Sequence, residues 1–97
     1  MGGENPQAER RATLEIRNKL GLHARAAKLL VETATRFDAE IKIAKDGQTV
    51  NGRSIMGIMM LAAEQGSQIE VTASGREAGE ALEAVRQLVA DRFNEPE

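Results

Sequence analysis

A single histidine, His23, lies in the run Asn18-Lys19-Leu20-Gly21-Leu22-His23-Ala24-Arg25-Ala26-Ala27 of a chain that has no Cys, Trp or Tyr. A strand-like stretch, Leu14-Glu15-Ile16, leads into the run, and an amphipathic pattern leaves it from Ala24 onward. An imidazole at the mouth of a helix meets unpaired backbone N–H groups and the positive end of the helix dipole, and both attract anions. Arg25, two residues further on, can offer phosphate oxygens a forked, charge-assisted contact. The chemistry suggested is phosphate binding, with a ring nitrogen able to carry the group covalently. A lone histidine in a small domain is more often a plain surface or cap residue, and on these residues alone both readings stand.

Ser54 is a second candidate. It follows Gly52-Arg53 and precedes the apolar run Ile55-Met56-Gly57-Ile58-Met59-Met60-Leu61-Ala62-Ala63. Its simplest role is a helix N-cap, a position where serine exceeds alanine by ~1 kcal/mol. A phosphate added there would meet the same positive helix end and tighten the helix. In that run apolar residues fall on nearly every side, whereas an outer helix of a two-layer domain buries about half its circumference. Part of it is therefore expected at the surface, as a Met-rich patch of the kind that meets protein partners. Full burial in the core is the competing expectation.

Composition narrows the classes. Ninety-seven residues make one domain, and with Phe37 and Phe93 the only aromatics its core must be aliphatic. A net charge of −2 and scarce aromatics argue against nucleic-acid binding. Absence of Cys excludes disulfides and thiolate chemistry and fits the cytoplasm. The longest apolar-rich window is about half a membrane span, so no membrane insertion is expected. One His among scattered carboxylates gives no metal-ligand spacing, and no metal or cofactor is expected. Phosphate loops of the Walker and dinucleotide types, and hydrolytic triads, find no match.

The elements that must position these residues follow from periodicity. Residues 1–11, rich in Gly, Pro and charge, read as a flexible tail. Ala12, Leu14 and Ile16 alternate with polar residues as in a half-buried strand. Residues 24–36 carry the helical stripe Ala27, Leu30, Val31 and Ala34. Ile41 and Ile43 mark a second strand, and Asp46-Gly47 is a strong hairpin signal that turns the chain into a third strand over 48–50. A short helix is expected over 55–63, closed by Gly66, and a fourth strand over 68–74. Ala78, Ala81, Leu82, Val85, Leu88, Val89 and Phe93 trace a last helix over four turns. The order β-α-β-β-α-β-α, with one apolar face per element, predicts an α+β open-faced two-layer sandwich, its helices on one face of a mainly antiparallel sheet. A domain over 12–93 and a C-terminal tail over 94–97 complete the division.

The segment Gly21-Leu22-His23-Ala24-Arg25-Ala26-Ala27 resembles the phosphohistidine motif of the HPr family, the phosphocarriers of the bacterial phosphoenolpyruvate-dependent sugar phosphotransferase system. Val50-Asn51-Gly52-Arg53-Ser54-Ile55-Met56-Gly57-Ile58-Met59 resembles the regulatory serine segment of the same family. Two motifs in register, within a matching element order, make the likeness specific. It implies a four-stranded antiparallel sheet covered on one face by three helices. It further implies that His23 accepts a phosphoryl group from enzyme I on its δ1 nitrogen and passes it to A-type sugar-permease domains. Arg25 then binds the phosphate, and Ser54 is the target of an ATP-dependent HPr kinase/phosphorylase where one exists. Leu22, Ala24, Ile55, Met56 and Met59 fall where the family docks its partners, transcriptional regulators included. Such a protein is a cytoplasmic monomer, a carrier with a transient phosphohistidine rather than a turnover enzyme.

Two features depart from the family pattern. Ala26 stands where the family usually has proline, which gives a less rigid first turn with one more N–H. The tail over 1–11 is longer than is typical of the family. An alternative reading is a regulatory paralogue, for instance in a nitrogen-type phosphotransfer branch, that acts mainly by docking proteins.

Overall fold

The computed structural model describes residues 9–97. Its elements are β1 (Arg10–Glu15), α1 (Ala24–Thr35), β2 (Glu40–Lys45), β3 (Gln48–Asn51), α2 (Ile55–Met60), β4 (Gln68–Ser74) and α3 (Ala78–Ala90), with a final tight turn at Arg92–Asn94. The strands form one antiparallel sheet in the order β1-β4-β2-β3. Alternation sets its two faces. Leu14, Ile41, Ile43, Ile69, Val71 and Ala73 are buried on the helix side, while Thr13, Glu15, Glu40 and Lys42 are exposed on the other. Cross-strand partners follow from that register: Leu14 faces Ile69, and Ile43 lies between Val71 and Val50. The three helices pack over the inner face and one another, which gives the expected open-faced sandwich.

The Asp46-Gly47 hairpin forms as predicted, with both residues at positive φ (51° and 82°), the pairing a two-residue turn of this hand requires. Elsewhere several boundaries differ. β1 begins at Arg10, inside the segment read as a tail, and pairs Arg10 with Ala73 and Arg11 with Thr72. An edge strand needs only backbone partners to extend, and Arg11 adds an ion pair to Glu70 at 3.7 Å. The remainder of that expected tail, residues 1–8, lies outside the described residues. α2 ends at Met60 rather than at 63, because Leu61 and Ala62 bond back three residues and Ala62 turns to φ 52°.

The greatest departure is at the C-terminal end. α3 stops at Ala90, and Arg92, Phe93 and Asn94 adopt positive φ in succession (56°, 53° and 62°). Left-handed backbone costs a non-glycine residue roughly 1–2 kcal/mol. Here it drives Phe93 to complete burial, where the aromatic ring joins the aliphatic core. The residues beyond are not a free tail: the N–H of Lys19 donates to the carbonyl of Glu97 at 2.8 Å.

Candidate functional site

His23 is the N-cap of α1, with extended backbone (φ −77°, ψ −179°). Its carbonyl accepts the first helical bond, from Ala27 N–H at 2.8 Å. The amides of Ala24, Arg25 and Ala26 precede that bond, so they have no partner within the helix. Ala26 is the third residue of α1, and the helix loses no bond whether alanine or proline occupies it. The imidazole makes no capping bond of its own and stays partly open to solvent.

The loop before it is fixed from below. Gly21 has φ +67°, and a Cβ there would lie 2.4 Å from the carbonyl oxygen of Ala63. No side chain fits at that contact. The same carbonyl accepts from Leu22 N–H at 2.9 Å, tying the loop to the segment that leaves α2. Leu22, expected on a docking surface, is buried at 4% exposure. With its backbone pinned to Ala63, its side chain turns into the core and anchors the loop.

Sequence reasoning did not find two residues that complete the site, Asn18 and Glu95. The Nε2 of His23 lies 2.6 Å from Oε2 of Glu95. Arg25 Nη1 donates to that oxygen at 3.1 Å and to the carbonyl of Phe93 at 3.0 Å. Asn18, fully buried, donates through Nδ2 to Oε1 of Glu95 at 3.0 Å and to the carbonyl of Gly21 at 2.8 Å. The left-handed turn is what brings Glu95 back over the mouth of α1. Burial pushes the Glu95 carboxyl up, but hydrogen bonds from His23 and Asn18 and the charges of His23 and Arg25 outweigh it and hold it below its ordinary value. Only the presence of Asn18 in the histidine run hinted at this cluster. The Glu95 contact spans 72 positions and leaves no local pattern.

Ser54 caps α2 as its simplest reading requires, Oγ accepting from Gly57 N–H at 2.9 Å. α2 packs on α1 and buries Ile58 and Leu61, while Ile55, Met56, Met59 and Met60 remain exposed at 40–70%. Ala24 is exposed as well, and Leu20, which sequence reasoning passed over, is 67% exposed. Exposed apolar side chains grouped on one short helix are the kind of surface that suits protein contact. Among the described residues no cluster of side chains is arranged to hold a metal ion, and no helix is long and apolar enough to cross a membrane.

The two-layer domain thus presents a partly exposed imidazole at a helix N-terminus, beside an arginine and an apolar patch, an arrangement suited to an anionic group and to protein contact. Comparison with known proteins makes the class specific. The family model described as PTS HPr component phosphorylation site matches residues 10–91. The phosphocarrier protein HPr of Neisseria meningitidis serogroup A is 46% identical over 85 residues, covering 88% of this chain and 96% of the relative. Among solved structures, HPr from Thermoanaerobacter tengcongensis superposes with a TM-score of 0.87 at 43% identity, covering 91% of this chain and 99% of that one. A dimeric HPr from the same organism gives 0.72 at 45% identity, with 87% and 97% covered. The chain belongs to the HPr family, the phosphocarrier proteins of the phosphotransferase system.

Proposed function

We propose that this protein accepts a phosphoryl group on His23 from enzyme I and delivers it to A-type domains of sugar permeases. The observation that carries this reading is the placement of His23: an accessible imidazole at the N-cap of α1, over three amides free of helical bonds. Nδ1 is the ring nitrogen left open, because Nε2 faces Glu95. As the lone pair of Nδ1 attacks phosphorus in line, charge spreads over three equatorial oxygens. The amides at the helix mouth and Arg25 are positioned to stabilise it. Only Nη1 of Arg25 is engaged among the described residues, so its other donors can turn to the incoming group.

Ala24, Ile55, Met56 and Met59 form the docking surface in this reading, joined by Leu20 and Met60. Leu22 is not part of it. Ser54 is the regulatory position: phosphorylation by an HPr kinase/phosphorylase would place a dianion at the N-terminus of α2, beside Ile55 and Met56, and so reset which partners or transcriptional regulators dock. In this reading the carrier works as a monomer in the cytoplasm, which a sedimentation or light-scattering mass of one chain would support.

The test is direct. Incubation with enzyme I and phosphoenolpyruvate should give an acid-labile phosphate on the wild type and none on His23→Ala. Uptake by His23→Ala would overturn the assignment.

A further inference from the structure

We propose that Glu95 is the positioning residue of the phosphoryl-accepting histidine: by accepting the Nε2 proton it holds the neutral ring in one tautomer and leaves the Nδ1 lone pair as the nucleophile. The inference rests on the reading of His23 as acceptor and adds the residue that prepares it. An ionised carboxylate accepts hydrogen bonds and cannot donate one, so a neutral ring 2.6 Å from Oε2 must carry its proton on Nε2. The carboxylate is fixed in turn. Its side chain is only 11% exposed, Asn18 holds Oε1, Arg25 holds Oε2, and Asn18 is locked to the carbonyl of Gly21. The three left-handed residues Arg92, Phe93 and Asn94, pinned by the buried Phe93 ring, set the direction from which Glu95 arrives.

The arrangement also suits the product. A P–N bond forms at Nδ1 while the bond between phosphorus and the donor's leaving group breaks, its electron pair departing with that group. The proton stays on Nε2, the ring becomes cationic, and Glu95 lies against the new charge. Arg25, shared between Glu95 and the Phe93 carbonyl, can transfer donors to the phosphoryl oxygens without leaving the carboxylate unpartnered, since His23 and Asn18 remain on it.

Two measurements on the full chain test the proposal. Long-range 1H–15N correlation spectra of the neutral ring should show a single Nε2–H form in the wild type and a mixture of both tautomers, as in free histidine, in Glu95→Ala. Phosphoramidate, a small zwitterionic donor that loses ammonia, reads nucleophilicity without any docking step. Glu95→Ala should take up phosphate from it about tenfold more slowly, the loss of one charge-assisted hydrogen bond. Identical tautomer populations in the two proteins would overturn the proposal, since a purely structural contact leaves them unmoved. Equal or faster uptake by Glu95→Ala would also overturn it, because the carboxylate would then be a plug over the site. Phosphate on His23→Ala would instead remove the carrier reading, while the tautomer spectra would still judge the role of Glu95 by themselves.

Discussion

The carboxyl of Glu95 is pulled in opposite directions by burial and by its three donors, and the donors prevail. Its folded-state pKa is therefore below its unfolded value, which has a definite consequence for stability. The contribution is fully present above the ordinary glutamate value of 4.5 and is lost as pH falls through the lower folded value. Urea unfolding across the acid range should thus show wild type and Glu95→Ala farthest apart near neutrality and converging at the acid end. This residue was invisible to sequence reasoning for a physical reason. His23 and Arg25 declare themselves by local spacing, but the carboxylate that meets them arrives from the other end of the chain, through a turn whose φ values no propensity favours in Arg92 or Phe93. Leu22 misled in the opposite sense. Its place in the motif suggested a surface, yet the bond from its amide to Ala63 turns the side chain inward.

At the scale of elements, periodicity was a reliable guide wherever one face is buried. β2, β3, β4 and α1 appear within a residue or so of their expected limits, and the Asp46-Gly47 turn is where the sequence placed it. Ends were less legible because they depend on backbone partners rather than side chains, as at Arg10 and Arg11 in β1. α2 shows the limit most clearly. Its all-round apolar sequence could not say which side is covered; the fold buries Ile58 and leaves Met56 70% exposed. Met56→Lys removes no core contact, so its unfolding free energy should stay within ~0.5 kcal/mol of wild type. Phosphate uptake from enzyme I should fall about tenfold if Met56 is an anchor of the docking surface. Uptake from phosphoramidate should be unchanged, which separates docking from chemistry.

For the molecule as a whole, the core is aliphatic except at one point, Phe93, which is fully buried where the end of the chain closes on α3. Phe93→Ala should lower the unfolding free energy by roughly 3–5 kcal/mol, measured by denaturant titration. It should also loosen the His23 ring, because the same side chain anchors the approach of Glu95. The sheet order β1-β4-β2-β3 carries a further consequence, for synthesis on the ribosome. β1 is made first, but its only neighbour in the sheet is β4, which is made last among the strands. Until β4 emerges, a nascent chain holds β1 without a partner and keeps Leu14 and Ile16 uncovered, which is when long-range pairings are slow and aggregation-prone. The hairpin of β2 and β3 can close early, but the histidine emerges ahead of nearly everything that will hold it. A ribosome pausing before Gln68 would therefore display the phosphate-accepting motif on a chain that cannot yet shape it.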